Sequence, residues 1–337
     1  MIPRERVEAV LNFKEVDILP VIPPFQGFWA LDAAGLSIPS SYTNPMKGAE
    51  AQIKMLEVAP FDALEVFWDW LTPAEACGCK AVFPEKSNPS TSEHIVKSMD
   101  DVSKLKVPDI TKHVRSMNDF EVATYLHKKL GKERYTYLTL PLPFTLSGEL
   151  RGVEKMMLDM LKKPNEMGLL LDFSVKVMIE YAKLGAETGV DGICWCDPTA
   201  SAGLISPNHF KKFPLPRIKE VLQKTRSLGM DALLHICGNT SDRLDLILDA
   251  SPDLMSLDNS VDLARAIQIL KDHVPIMGNV STTDIFTKKP EDIEAASLEC
   301  IRKAGKHGFA LGAACDIPIG SPVANVVALC AAPKKAQ

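Results

Sequence analysis

The strongest chemical signal in the chain is a histidine and a cysteine one residue apart, His235 and Cys237, in the segment LHICGN. Side chains at i and i+2 of a β-strand point to the same side, so the imidazole and the thiol can converge. Both are ligands that Zn²⁺ prefers, and a third ligand has to come from elsewhere. Cys315 is a candidate, although so long a separation matches no regular zinc-binding spacing. On these residues alone, a buried histidine beside two buried thiols is the alternative.

Polar residues follow most of the apolar runs that we interpret as strands. They are Glu65, Asp197, His235 with Cys237, Asp258, Asn279 and, after the last run, Cys315. If parallel strands close into a barrel, their C-terminal ends form the face that carries the active site. A repeated supply of acids and ligands at these ends is harder to explain by the ordinary polarity of loops than one or two such residues would be.

The elements that must position these residues alternate along the chain. Apolar runs at 18–23, 63–67, 135–140, 192–196, 232–236, 254–257, 275–278 and 309–312 predict eight short buried strands. Helical periods such as 164–188, 206–228, 240–250 and 289–306 lie between them, and we find no hairpin signals. This order predicts an α/β fold, a TIM (β/α)8 barrel, formed by residues 1–337 as a single domain. The stretch 71–131 is loop-rich and poorly periodic, so we expect an insertion after the second strand. A doubly wound sheet is less favoured, because no strand leads into Gly-x-Gly-x-x-Gly.

Composition excludes several functional classes. The 337 residues are 46% hydrophobic and 24% charged, as in a folded globular protein, and the net charge of −5 predicts no nucleic-acid partner. No apolar stretch approaches the roughly 20 residues of a membrane-spanning helix, and the N-terminus has no signal-peptide pattern. Eight dispersed cysteines are typical of a reduced compartment. We therefore expect a cytoplasmic protein without a membrane partner.

Four further cysteines allow competing interpretations. Cys194 and Cys196 share one face of the fourth predicted strand. If Asp197 points into the barrel, alternation turns both thiols toward the surrounding helices, so we interpret them as packing residues. Cys77 and Cys79 flank one glycine in the insertion and could bind a metal, although such pairs usually have no function.

The chain also resembles a known family, the methylcobamide:coenzyme M methyltransferases, within the uroporphyrinogen decarboxylase superfamily of TIM barrels. The resemblance is carried by residues 142–146, 197–201, 204–207, 234–239, 278–281 and 312–318. It implies that His235, Cys237 and Cys315 are zinc ligands. Decarboxylases of the superfamily carry an arginine-rich segment after the first strand, whereas residues 23–30 here contain no arginine. They also carry Gly-His-Gly where this chain has residues 314–316, so the decarboxylase activity is disfavoured.

The resemblance implies methyl transfer between a corrinoid (a methylcobamide) on a partner carrier protein and a small thiol such as coenzyme M. The attacking species is a thiolate, which zinc coordination generates near neutral pH. Asp197 and Asp258 are candidate catalytic residues, and we expect one of them to accept the second ring N–H of His235. Asn279 and Ser281 are candidates to bind an anionic tail of the acceptor, or form an ordinary turn after a strand.

Glu65 is a candidate to shape the substrate pocket or simply ends a strand. One alternative function is the methyltransferase component of a demethylase, which passes methyl from an ether or a methylamine to the reduced corrinoid. Aromatic residues at 25–29, with Phe67, Trp68 and Trp70, could line a pocket for an aromatic ether or belong to the core. Uroporphyrinogen decarboxylase is the third functional hypothesis, and a non-enzymatic zinc-binding module is the fourth.

Overall fold

A computed structural model describes residues 1–66, 70–84 and 87–336. Seven strands form a curled, entirely parallel sheet in the order β1-β4-β5-β6-β7-β8-β9, and β2 pairs with β3 in a separate antiparallel hairpin. The strands are β1 (Ala63–Glu65), β2 (Lys80–Val82), β3 (Ser90–Glu93), β4 (Tyr135–Pro141), β5 (Gly192–Cys196), β6 (Asp231–His235), β7 (Leu254–Ser256), β8 (Ile276–Val280) and β9 (Phe309–Ala313). All seven strands of the large sheet coincide with predicted runs, and the expected TIM-barrel fold is confirmed.

Helices connect the strands and cover the sheet. They are α1 (Pro3–Leu11), α2 (Gly27–Ala33), α3 (Ile38–Thr43), α4 (Pro45–Val58), α5 (Thr72–Ala76), α6 (Val114–Leu130), α7 (Pro143–Arg151), α8 (Val153–Lys162), α9 (Pro164–Glu187), α10 (Pro207–Lys212), α11 (Pro214–Ser227), α12 (Leu244–Ala250), α13 (Leu263–Leu270), α14 (Thr282–Thr287), α15 (Pro290–Ala304) and α16 (Val323–Lys335). Short 3₁₀ helices span Met99–Lys104, Ile110–Lys112 and Pro198–Ala200. The predicted helix 206–228 is two helices, because Pro214 has no N–H to continue the first one. No helix within the described ranges is long and apolar enough to cross a membrane.

The first predicted strand, 18–23, is present only as a short bridging segment that closes the sheet. The Ile22 N–H donates to the Leu311 carbonyl oxygen over 2.8 Å, and the Leu311 N–H donates to Pro20 over 3.0 Å. On the other side the Asp62 N–H donates to the Val21 carbonyl oxygen over 2.9 Å. Prolines at 20, 23 and 24 supply no N–H groups, so a longer regular ladder cannot form here.

The insertion after β1 is more regular than the sequence predicts. It contains α5, the β2–β3 hairpin, two 3₁₀ helices and the 17-residue helix α6. The hairpin strands are largely exposed, so they show no apolar alternation. Ser116 and Asp119 lie on the buried face of α6 and interrupt its apolar period. The prediction of a loop-rich segment was therefore wrong for α6, which is the ordinary helix of a βα unit.

Two apolar layers hold the strands in place. The smaller cluster fills the barrel and includes Tyr137 of β4, Cys194 of β5 and Leu233 of β6. Val7 and Val10 of α1 join that cluster, so the N-terminal helix packs against the barrel interior. The larger cluster lies between the outer strand faces and the helices. The barrel interior therefore ends, at the C-terminal edge of the strands, in the layer that carries His235.

Candidate metal centre

His235 is the last residue of β6 and points into the barrel interior, as Leu233 does two positions earlier. Its Nε2 lies 3.1 Å from the Cys237 Sγ, so the histidine and cysteine converge as the sequence pattern predicts. Its Nδ1 lies 2.9 Å from the Ser256 Oγ at the end of β7. The expected partner, Asp197 or Asp258, was therefore wrong: the hydroxyl of a neighbouring strand fixes the imidazole. That contact leaves Nε2 to face the thiols.

Cys315 completes the cluster from the loop after β9. Its Sγ is 3.6 Å from the Cys237 Sγ, and the three ligand atoms all lie within 4.8 Å of one another. A tetrahedral zinc ion with ordinary bond lengths separates its sulfur and nitrogen ligands by roughly 3.6–3.8 Å. The donor set therefore fits Zn²⁺ in its type and its spacing. Hydrogen bonding to Cys237 lowers the pKa of the Cys315 thiol, and the same contact together with burial raises the pKa of the Cys237 thiol.

All three candidate ligands line one cavity of about 270 Å³ at the C-terminal end of the barrel. The other lining residues are Phe25, Gly27, Phe28, Glu65, Trp70, Asn88, Thr139, Cys196, Pro198 and Asp316. The Phe25 ring meets the imidazole of His235 edge-on, with 4.9 Å between the ring centroids. Of the aromatic residues singled out in the sequence, Phe67 and Trp68 lie outside the described residues. A metal held by three protein ligands at a cavity wall keeps a coordination position open to a substrate, as catalytic zinc sites do.

Glu65, at the end of β1, lies at this cavity and is almost completely buried. Its Oε2 accepts hydrogen bonds from the backbone N–H groups of Gln26 and Gly27, over 2.7 and 3.0 Å. These donors begin helix α2, so the carboxylate fixes the helix start against the barrel. Burial raises the pKa of Glu65 to about 7, although the two backbone donors act in the opposite direction.

The two aspartates predicted as catalytic residues lie beside the metal ligands and not among the cavity-lining residues. The Asp197 Oδ1 accepts a hydrogen bond from the Thr145 hydroxyl over 2.6 Å, and burial raises the Asp197 pKa to about 7. Asp258 accepts the Gly238 N–H over 2.9 Å, directly after the ligand Cys237. Burial alone would raise the pKa of Asp258, but hydrogen bonds from Ser260 and Gly238 outweigh it and hold that pKa low. Asp258 thus fixes the turn that orients the cysteine.

Asn279 and Ser281 occupy structural positions. The Asn279 side-chain amide donates to the carbonyl oxygens of Asp258 and Val261, over 3.1 and 3.0 Å. The Ser281 hydroxyl accepts the Asp284 N–H over 3.2 Å and caps helix α14. Neither residue is among those that line the cavity. Their assignment as substrate ligands stays a prediction, and the geometry favours the ordinary-turn alternative for Ser281.

The prediction that Cys194 and Cys196 face the surrounding helices was wrong. Both point into the barrel: Cys194 belongs to the interior cluster, and Cys196 packs against that cluster and lines the cavity. Trp195, between them, belongs to the outer layer. The alternation holds, but Asp197 follows the outer face instead of the inner one. The prediction assumed that Asp197 faces the barrel interior. Because side chains alternate along a strand, that assumption assigned every side chain of β5 to the wrong face.

Three residues of this candidate site were not singled out from the sequence. Ser256 holds the imidazole, and Asn88 and Asp316 line the cavity. Asp316 directly follows the ligand Cys315, and burial together with the nearby Glu65 and Cys315 raises its pKa well above the usual value. Adjacency to a ligand could have drawn attention to Asp316. Asn88 carries no sequence signal, because it reaches the site from the insertion.

A parallel barrel with candidate metal ligands at the C-terminal ends of its strands defines a TIM-barrel protein of the enzyme type. The uroporphyrinogen decarboxylase (URO-D) family profile matches residues 2–336, and the chain belongs to this family. The methylcobamide:CoM methyltransferase MtaA of Methanosarcina barkeri (strain Fusaro) is 30% identical over 98% of this chain and 96% of its own length. The methylcobamide:CoM methyltransferase MtbA of Methanosarcina mazei is 29% identical over 96% of this chain and 95% of its own.

Among solved structures, a methyltransferase from Methanosarcina mazei superimposes with a TM-score of 0.92 at 25% identity and covers 99% of both chains. The resemblance inferred from the sequence is confirmed, together with the enzyme class that it implied, a methyltransferase.

Proposed function

We propose that this protein transfers a methyl group between a methylcobamide on a separate carrier protein and a small thiol, at a Zn²⁺ ion held by His235, Cys237 and Cys315. The observation that carries the proposal is the convergence of these three donors within 4.8 Å at the wall of an open cavity. The relatives named methylcobamide:CoM methyltransferase, which match nearly the full chain, support the corrinoid and the thiol as reaction partners.

Bound zinc supplies acidity toward a coordinated thiol, which it deprotonates near neutral pH. The protein's own residues set the conditions. Ser256 holds the Nδ1 of His235, so that Nε2 faces the two sulfurs. Two thiolates and a neutral imidazole balance the charge of a divalent ion. The substrate sulfur then keeps enough electron density to attack a methyl carbon.

The transfer itself needs no oxidant or reductant. The sulfur–carbon bond forms as the cobalt–carbon bond breaks, both electrons of the broken bond stay on cobalt, and the thiol proton passes to solvent. Phe25 and Phe28 line the same cavity, and Phe25 packs edge-on against His235, so apolar surface borders the candidate ligands. Asp258 positions the Cys237 turn, and Asp197 holds Thr145 of helix α7. We assign both aspartates as positioning residues.

The alternative function is the methyltransferase component of a demethylase, which takes methyl from an ether or a methylamine. The aromatic residues that it invoked at 25–29 and at 70 do lie at the cavity in part, as Phe25, Phe28 and Trp70. An ether or amine donor would use the same cavity, but neither relative reported above carries such a name. The decarboxylase hypothesis is not supported by the cavity. No arginine or lysine is among the described residues that line it, so these residues provide no cation to bind a polycarboxylate.

The test is zinc content together with demethylation of methylcobalamin in the presence of a thiol. We expect about one zinc per chain, and we expect Cys237→Ala or Cys315→Ala to lose both the metal and the activity. Cys330→Ala is the matched control, because Cys330 is a buried cysteine of α16 outside the cavity. Full zinc content in either ligand variant would refute the ligand assignment. A zinc-loaded protein that leaves methylcobalamin unchanged with every thiol offered would refute the proposed reaction.

A further inference from the structure

We propose that Asn279 is a positioning residue of the candidate metal centre: it holds Cys237 in place through the turn that begins at Asp258, and it does not touch the substrate. The inference rests on the proposed function, because it concerns the zinc ion assigned to His235, Cys237 and Cys315. It is carried by a chain of hydrogen bonds that runs across the ends of three neighbouring strands, from β8 through β7 to β6.

The turn that carries Cys237 is held from the neighbouring strand. Cys237 follows β6, which ends at His235, and the next residue, Gly238, has a φ of +74°, a left-handed conformation that favours glycine. In this conformation the Gly238 N–H donates to the Oδ2 of Asp258 over 2.9 Å. Because Gly238 is bonded directly to Cys237, this hydrogen bond fixes the backbone from which the thiol projects.

Asp258 is itself held in a tight turn after β7. Its Oδ1 accepts hydrogen bonds from the N–H and the hydroxyl of Ser260, over 2.8 and 2.7 Å, and its Oδ2 is then the oxygen that faces Gly238. The Val261 N–H donates to the Asp258 carbonyl oxygen over 3.1 Å and closes the turn. Such a turn fixes the carboxylate relative to its own backbone. The position of the turn 258–261 therefore sets the position of the oxygen that holds Gly238.

Asn279, in β8, clamps this turn at both ends. Its Nδ2 donates to the carbonyl oxygens of Asp258 and Val261, over 3.1 and 3.0 Å. Its Oδ1 lies 3.8 Å from the Sγ of Cys300 on α15, within reach of the thiol as a donor. Both amide hydrogens are therefore engaged by the protein, and Asn279 is not among the described residues that line the cavity. A side chain with its donors committed in this way supports the turn and offers no donor to a substrate.

The expected effect is on zinc affinity. Hydrogen bonds behind a metal ligand orient it, and removing one typically lowers metal affinity by about 10–100-fold. Asn279 acts one contact further from the ligand, and the turn of Cys237 is also held by the Ala202 N–H, which donates to the Asn239 carbonyl oxygen over 3.0 Å. We therefore expect Asn279→Ala to weaken zinc binding by about tenfold, the lower end of that range. Asn279→Leu keeps the branched shape without the amide and should have the same effect.

The experiment measures zinc affinity by competition with a chromophoric chelator. Asn325→Ala is the matched control, because the Asn325 Nδ2 also donates to two carbonyl oxygens, those of Ile285 and Lys288, over 2.8 Å each, and lies outside the cavity. Urea unfolding should show a similar loss of stability in Asn279→Ala and Asn325→Ala, whereas only the former should lose zinc affinity. The visible absorption of Co²⁺-loaded protein reports ligand geometry directly, and it should change in the Asn279 variants alone.

A double-mutant cycle tests the route through Asp258. In Asp258→Ala the Gly238 N–H has no carboxylate to bind, so the turn that Asn279 clamps no longer acts on Cys237. Adding Asn279→Ala to that variant should then weaken zinc binding by less than about twofold, within the error of additive, uncoupled changes. Full additivity of the two losses would overturn the proposed route.

The outcomes separate the two proposals. If the unmodified protein binds zinc and both Asn279 variants keep its affinity and its Co²⁺ spectrum, the inference is overturned and the proposed function stays intact. A rise in KM for the thiol at unchanged zinc affinity would make Asn279 a substrate ligand, which also overturns it. An unmodified protein that binds no zinc refutes the ligand assignment of the proposed function, and the inference with it.

Discussion

Replacement of Arg243 should both destabilise the protein and loosen the mouth of the barrel. Its guanidinium is fully buried beside the start of α12. Nη1 donates to the Ala200 carbonyl oxygen over 2.5 Å, and Nη2 donates to that of Ile205 over 2.8 Å. These carbonyls belong to the loop that follows β5, whose Pro198 lines the cavity. Asp242 neutralises the cation from a partly exposed position.

The expected loss of unfolding free energy follows from the two carbonyl oxygens that Arg243→Met would leave without a donor. Two buried carbonyl oxygens lose their donor, at about 1–3 kcal/mol each, so the free energy of unfolding should fall by about 4 kcal/mol. With a urea m-value of about 3 kcal/mol/M, the unfolding midpoint should shift by on the order of 1 M. Arg243→Lys keeps the charge but replaces a planar fork by a point donor, and we expect an intermediate loss.

Urea unfolding followed by circular dichroism measures both variants against Asp245→Asn. Asp245 is an exposed acid in the first turn of the same helix, so that control should cost less than about 1 kcal/mol. Because the loop borders the cavity, Arg243→Lys should also lower kcat/KM for methylcobalamin demethylation at a temperature where it remains folded. A midpoint for Arg243→Met within about 0.3 M of the unmodified protein would refute the reasoning, since the two carbonyls would then have other partners.

Two further predictions concern the acid after β5 and a glycine at the barrel closure. Burial raises the pKa of Asp197 to about 7, so its protonated form stabilises the fold at low pH and that contribution is lost as pH rises through 7. Asp197→Asn should therefore reduce the loss of unfolding free energy between about pH 5 and pH 8 by on the order of 2–3 kcal/mol, and parallel pH profiles would contradict this. A Cβ at Gly312 would lie 2.3 Å from the Ile22 carbonyl oxygen, so Gly312→Ala should yield little folded protein. Gly203→Ala, which meets nothing closer than 3.8 Å, should express and unfold normally.

The strand pattern shows where sequence reasoning succeeds and where it stops. Seven predicted apolar runs are strands of one parallel sheet, because buried parallel strands carry a dense local signal of apolar residues. The remaining run, 18–23, forms only an isolated bridge to β9. Its prolines lack the N–H groups that a regular ladder needs. They still look apolar in the sequence, so the pattern predicts a strand where none forms. Helix α6 was missed for the converse reason, because Ser116 and Asp119 on its buried face hide the helical period.

The sequence by itself determined the barrel, the pairing of His235 with Cys237 and, through the family resemblance, Cys315 as the third candidate ligand. These follow from local periodicity and from alternation along one strand, which are properties of neighbouring residues. Only the tertiary structure decided that Ser256 orients the imidazole, that Cys196 faces inward, and that Asp316 shares the cavity with Glu65. Such contacts join residues far apart in the chain, and their geometry depends on the phase of each strand and on barrel closure, which no single segment contains.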